Sequence, residues 1–453
     1  MNFNTTYFLL VFLPIVLVIF HLSPRQFRFA VLLIASCVFY AVSGLVPLAF
    51  MLLSIGWGFG AALVARNTRS GAVIAAAISF PLIVLYLFKY LNFTLDTVGA
   101  SPELRDFFLF FLAVTLPAGI SFYTFQIVGY IIDVRDHVVP AERNPLKLAV
   151  FISFFPQLIA GPILRYDQIS SQLDRITRIQ WLEIDARSGL KYLAIGLFGK
   201  VVISDLTNIL IGNSWAVNFS EVATRADVLF LLNAYSIRIY FDFWAYSLMA
   251  IGLAKLFALN LPVNFREPYQ SVSPAEFWRR WHVTLSFWIK DFIYLRLGGR
   301  DAYVRNIAII FLAVGLWHGA GWTFVLWGAY HAVLVIGYHF SRPLWDKAPK
   351  AVRILVTYAL VSLGWPLFFL DLGGYWVFLT SLVDPADGAG IYSLKHWVMI
   401  APILAWIFFS KERVWLYNEK PHWLFDNPLL HAVLMVGALL FTTYSTTFIY
   451  FRF

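Results

Sequence analysis

Three of the nine histidines, His282, His318 and His331, fall inside one stretch, residues 273–331. An imidazole exchanges a proton near neutral pH, so these are the side chains best suited to general acid–base chemistry. His318 stands at an interruption in an apolar run, WHGAGW, where Gly319 and Gly321 flank Ala320 and allow another group to approach the backbone. A titratable ring inside a membrane-length apolar segment is costly and points to function. His282 falls among indoles, where a packed core role and a functional one are equally open from the residues alone. The two lie 36 residues apart, so only tertiary folding could unite them. His331 follows His318 by 13 residues. A continuous helix would put about 20 Å of rise and roughly 220° of rotation between those rings, too far to serve one small atom. With no HxxxH pair and no acidic partner at ligand spacing, a metal cluster built from them is disfavoured, and His331 reads as structural.

The elements that position these rings follow local rules. Ser273 is a good N-cap, Pro274 suits the first helical position, and Glu276 completes a capping box. Trp278, Trp281, His282, Leu285 and Ile289 then recur at helical spacing, which predicts one amphipathic helix lying across a membrane surface. Glu276 and Arg280 stand at ion-pair spacing on that helix. Arg279, Arg280, Lys290, Arg296 and Arg300 make the heaviest cation cluster in the chain, placed to steer a phosphate-bearing ligand. His331 ends a second apolar segment that begins near Ile307.

Composition sets the class independently. Of 453 residues, 60% are hydrophobic and only 13% charged, where soluble domains carry about 25% charged residues; mean hydropathy is +0.74. Without a long polar insert, residues 1–453 read as a single integral membrane domain whose core motifs lie in 273–331. The single cysteine, Cys37, sits in an apolar run and excludes an intrachain disulfide. The net charge of +9 comes from cations in the turns between segments. That is the positive-inside pattern rather than a nucleic-acid footprint. No basic n-region or small-residue cleavage site marks a removable signal, so the first apolar segment is expected to be retained.

In chain order the pattern predicts an all-α polytopic membrane protein of about 11–13 segments, with roughly 20 residues per span. Basic turns follow segments one, three and five (Arg25 and Arg28; Arg66 and Arg69; Arg135, Arg143 and Lys147), which puts those turns in the cytoplasm and the N-terminus outside. The fifth segment, about residues 107–132, contains PAGISFYTFQ, whose proline frees a carbonyl that protein neighbours must satisfy. FISFFPQLIAGP, about Val150 to Pro162, is too short and too punctuated to span. It reads as a re-entrant or interfacial piece facing protein or a water-filled cavity. Arg238 and Asp242 lie four residues apart inside an apolar helix, NAYSIRIYFDFWAYSLMAIG. The favoured reading is an internal ion pair; lining a substrate path is the alternative. No nucleophile elbow, P-loop or GxGxxG motif is present.

FWRRWHVTLSFWIKDFIYLRLGG followed by GLWHGAGWTFVLWGAYH resembles the membrane-bound O-acyltransferase family, in its bacterial polysaccharide O-acetylation branch. LPAGISFYTFQ, FISFFPQLIAGPILR and the ending FIYFRF carry the same resemblance, so it runs over most of the chain. It implies helices around a central tunnel, with His318 as the catalytic histidine and His282 as its second polar partner. The implied substrate and donor contacts are Arg238, Asp242, Arg279, Arg280, Trp281, Trp317 and Gly319. Acetyl-CoA is the implied donor, with no bound cofactor, and an extracytoplasmic partner of the SGNH-hydrolase type completes transfer to a polysaccharide. The implied location is a bacterial inner membrane. Trp244-Ala245 and Leu248 stand where that branch carries a small pair and an aspartate, and Leu248 with Arg296 leans toward the D-alanyl branch that modifies teichoic acids. Acyl transfer from a thioester to a hydroxyl needs a base for the hydroxyl proton and a site shielded from water. His318 supplies the base in this reading, and His282 holds the thioester carbonyl or the acceptor. A transporter would also bury Arg238 and Asp242 but should show inverted repeats, and a structural subunit has no use for a histidine beside glycines.

Overall fold

Apolar segments of membrane length must satisfy their backbone polar groups internally, and helices do so within one segment. The computed structural model describes residues 2–68, 70–178, 184–212, 223–385, 390–417, 422–444 and 448–449. The protein is all-α, and among the described residues no strand occurs. Among the described residues, five helices are long and apolar enough to cross a bilayer, and four shorter apolar helices accompany them. The chain is a multi-pass membrane protein. It divides into two compact units, Met1–Leu193 with Tyr246–Pro262, and Ala194–Ala245 with Val263–Phe453.

The first unit contains α1 (Phe8–Leu22), α2 (Arg28–Ala41), α3 (Leu45–Ala65), α4 (Gly71–Thr97), α5 (Ile120–Arg135), α6 (Pro145–Ser153) and α7 (Tyr166–Ile176). Leu10, Ile15, Leu53 and Ile83 stay exposed on these helices, the outward apolar surface a bilayer requires. The apolar run expected to cross at 107–132 is broken. A short helix ends at Ala113, and α5 starts only after Gly119, whose φ is +73°. A Cβ at Gly119 would lie 2.4 Å from the Leu158 carbonyl oxygen, so the break is set by contact with FISFFPQLIAGP. That stretch is buried in protein, as its punctuation predicts. Gln126 Nε2 donates to Gln157 Oε1 at 3.1 Å, Gln157 Nε2 to the Phe151 carbonyl at 3.0 Å, and the Phe155 N–H to Ser36 Oγ at 3.1 Å.

Helices α8 (Ala186–Ile211) and α9 (Arg225–Leu256) each contribute residues to both units. The second unit adds α10 (Pro274–Arg280), α11 (Val283–Ile289), α12 (Tyr303–His318), α13 (Trp322–Trp345), α14 (Lys350–Phe368), α15 (Leu372–Val383), α16 (Leu394–Phe409) and α17 (Pro428–Leu440). Helices α12 and α13 form an antiparallel hairpin drawn together by glycine. A Cβ at Gly315 would meet the Phe324 carbonyl oxygen at 2.3 Å, and one at Gly328 the Phe311 carbonyl oxygen at 2.3 Å. Among the described residues, π turns interrupt the helical segments at Phe8–Phe12, Tyr86–Tyr90, Gly199–Ser204 and Lys290–Tyr294. Of the ending FIYFRF, Phe448 and Ile449 are described; residues 450–453 lie outside the described residues.

Candidate active site

The hairpin fixes His318. It is the last residue of α12, and the helix is interrupted at Gly319, Ala320 and Gly321, as the sequence predicts; the chain there also reverses into α13. A Cβ at Gly319 would sit 2.2 Å from the Phe324 ring, so any larger residue there would displace that ring; Gly321 meets only ordinary contacts. His318 is 3% exposed. Its ring centroid lies 5.0 Å from Trp317, 4.9 Å from Trp327 and 5.3 Å from Phe368. The turn also overturns the separation expected for His318 and His331. Because the segment folds back, both imidazoles touch the Trp327 indole, His331 at 4.6 Å. His331 is fully buried and also packs against Trp278 at 5.0 Å.

The helix predicted across Ser273–Ile289 is two helices. Ser273 caps α10 by accepting from the Glu276 N–H, and Glu276 Oε1 pairs with Arg280 at 2.6 Å, both as expected; the Glu276 carboxylate accepts from the Val272 N–H at 3.0 Å. The helix then stops at Trp281, and His282 adopts a left-handed conformation, φ 44° and ψ 54°, before α11 begins. Such a backbone on a non-glycine residue costs roughly 1–3 kcal/mol and persists where surroundings enforce it. Here the enforcing segment is residues 264–266. The Val283 N–H donates to the Asn264 carbonyl at 2.9 Å and the Arg266 N–H to the Arg280 carbonyl at 3.0 Å. Asn264 Oδ1 receives the Thr284 N–H at 3.3 Å and the Thr284 hydroxyl at 3.0 Å, and lies 3.0 Å from His282 Nδ1. His282 is 1% exposed, and burial pushes its pKa down to about 3. The Phe243 ring meets it edge-on at 4.7 Å, and Trp317 lies 5.8 Å away. The Trp317 indole therefore packs on both His282 and His318.

The remaining predicted residues fall in different places. Arg279, Lys290, Arg296 and Arg300 are exposed. Arg280 is tied to Glu276 and to the Arg266 and Glu267 carbonyls. Trp281 packs with Phe265, Phe277 and Trp365, at 5.1, 5.5 and 4.9 Å, and Trp365 continues to Phe368 at 5.9 Å, a ring that also packs on His318. The pairing expected between Arg238 and Asp242 is replaced by another. Asp242 Oδ1 lies 2.6 Å from Lys200 Nζ, which also reaches Asp205 at 2.7 Å, while Asp242 Oδ2 accepts the Ile449 N–H at 2.7 Å. The Arg238 guanidinium stands over the Phe369 ring at 4.9 Å. Lys200 is carried on the π turn of α8 and is fully buried, so a tertiary partner captures Asp242.

Asn264, Thr284, Lys200 and Asp205 belong to these arrangements and were not singled out from sequence. Lys200 was detectable as a cation inside an apolar run, LFGKVVIS, by the same rule that marked His318. Asn264 and Thr284 carry no such signal, because their role exists only once the strands of chain at 264–266 and 280–284 are side by side.

A multi-pass α-helical protein with buried histidines at a glycine-broken helix end has the makings of a membrane transferase, and comparison with known proteins defines which. Residues 139–368 match the membrane-bound O-acyltransferase family. A probable alginate O-acetylase of Pseudomonas syringae pv. tomato is 36% identical over 81% of this chain and 72% of its own length. A peptidoglycan O-acetyltransferase of Helicobacter pylori is 33% identical, covering 81% of this chain and 76% of the relative. A teichoic acid D-alanyltransferase of Bacillus subtilis is 28% identical, covering 67% and 79%. The chain belongs to the membrane-bound O-acyltransferase family, and it is an O-acyltransferase.

Proposed function

We propose that this protein takes an acetyl group from acetyl-CoA on the cytoplasmic side of a bacterial inner membrane and delivers it through a tunnel to the outer face, for O-acetylation of an extracytoplasmic polysaccharide. The N-terminus lies outside in this reading, and an SGNH-type partner completes transfer to sugar hydroxyls. His318 is the general base. It accepts the acceptor hydroxyl's proton as that oxygen attacks the thioester carbonyl, and the departing thiolate leaves protonated. His282 orients one of the reactants. The exposed cations Arg279, Lys290, Arg296 and Arg300 attract the phosphates of the donor. The observation that carries the reading is the placement of His318, buried at a helix end and one indole away from His282. The relatives that act on alginate and peptidoglycan support acetyl transfer to a polysaccharide.

The test is turnover of labelled acetyl-CoA by the purified protein with candidate acceptors. His318→Ala should insert and fold normally yet lose transfer by about 10²–10⁴-fold, the usual contribution of a positioned base. Normal transfer by that variant would discard the mechanism. Similarity to the teichoic acid D-alanyltransferase favours a second reading, D-alanyl transfer. Turnover of a D-alanyl thioester in place of acetyl-CoA would select it. Substrate movement in a counterflow assay without donor turnover would select a transporter instead.

A further inference from the structure

We infer that Asn264 is a positioning residue that locks His282 as the Nδ1–H tautomer, so that His282 works through an Nε2 lone pair and holds the acceptor hydroxyl rather than the thioester carbonyl. This deepens the proposed function and rests on it.

The argument turns on one amide oxygen. The backbone N–H of Thr284 can only donate, and it points at the Asn264 side-chain atom 3.3 Å away. That atom must therefore be the carbonyl oxygen and not the amide nitrogen. The Thr284 hydroxyl, 3.0 Å from the same oxygen, donates to it as well. An amide oxygen only accepts, so His282 Nδ1, also 3.0 Å away, must carry a proton. Burial holds the ring neutral. A neutral imidazole protonated at Nδ1 has its lone pair on Nε2. That nitrogen can accept a hydrogen bond from a hydroxyl but has no proton to offer a carbonyl oxygen. The backbone agrees with a device rather than an accident: His282 is held in a left-handed conformation, and the Asn264 carbonyl clamps the next residue through the Val283 N–H. The ring's orientation, its tautomer and the strained turn thus depend on one residue, 18 positions upstream.

Two measurements test this. Solid-state NMR of ¹⁵N-histidine-labelled wild-type protein in bilayers, with the His282 signals assigned by difference from His282→Gln, should show a protonated Nδ1 and a bare Nε2 at neutral pH. A bare Nδ1, or a doubly protonated ring, overturns the inference. Asn264→Asp keeps an oxygen for Thr284 and His282 but adds negative charge beside Nδ1–H, which favours the imidazolium. Opposite charges at this range move a pKa by about 1–3 units, so the ¹⁵N spectrum of this variant should show the His282 ring becoming doubly protonated at a higher pH than in the wild type. The same His282 titration in both proteins overturns the inference. His318→Ala run alongside separates the two ideas: normal transfer by that variant removes the acyl-transfer mechanism, while the tautomer is still decided by the NMR spectrum.

Discussion

Replacing Lys200 by methionine keeps most of the side chain's length and removes its charge from between two carboxylates. Lys200 is fully buried, 2.7 Å from Asp205 Oδ1 and 2.6 Å from Asp242 Oδ1, and its carboxylate partners are 1% and 3% exposed. Removing one member of a buried charge cluster costs about 3–5 kcal/mol, because the abandoned charge stays desolvated. The lower end, about 3 kcal/mol, is the expected destabilisation, because methionine keeps the apolar packing of the lysine stem. Adding Asp242→Asn to the methionine variant should then cost far less than it does alone, giving a coupling of about 1–3 kcal/mol in a double-mutant cycle. Arg238→Met provides the contrast. Its guanidinium lies over the Phe369 ring, whereas Lys200 Nζ is the cation at 2.6 Å from Asp242, so the coupling of Arg238 to Asp242 should be smaller than that of Lys200. The assay is unfolding of the detergent-solubilised protein by heat and by denaturant. A methionine variant as stable as the wild type, or a cycle in which Arg238 rather than Lys200 couples to Asp242, would refute the reasoning.

The hairpin and a buried acid give two further predictions. Gly328→Ala drives a Cβ to 2.3 Å from the Phe311 carbonyl oxygen. Backbone cannot yield as a side-chain tip can, so α12 and α13 separate, stability falls by about 1–3 kcal/mol, and activity falls with the displacement of His318; Gly337→Ala, which meets nothing within 4 Å, should be harmless in the same thermal assay. Glu412 is 1% exposed, accepts from Tyr240 and Trp406, and is pushed up to about 7 by burial. A carboxyl with a raised folded pKa contributes stability below its unfolded value of 4.5, and that contribution is lost as pH rises towards 7. The melting temperature of Glu412→Gln should therefore decline less than that of the wild type between pH 4.5 and 7, and parallel declines would contradict the assignment.

Where a feature depends on neighbours in sequence, it was legible. The Ser273 cap, the Glu276–Arg280 pair and the helix break at WHGAGW are fixed within a few residues, and the structure has all three. The family resemblance was legible because its motifs are contiguous. What was lost depends on chain meeting chain. Helical periodicity runs straight through His282, and only the pairing of 264–266 with 280–284 reveals the break. The spacing of Arg238 and Asp242 satisfies the rule for a local ion pair, yet a lysine 42 residues from Asp242 takes the carboxylate. His318 and His331 came together because the same glycines that marked a site also reverse the chain, a consequence that rise per residue cannot anticipate.

The π turn at Gly199–Ser204 gives α8 one residue more than regular winding needs. Deleting a residue within it would let the helix close into ordinary α geometry with little disturbance to either flank. Deleting one between that turn and Asp205's neighbours downstream would swivel every later side chain by about 100°. Length variation in this helix is thus best absorbed by a single turn, the one that carries the lysine, and a variant that shed the surplus residue would remain helical while shifting Lys200 relative to its partner on another helix, Asp242.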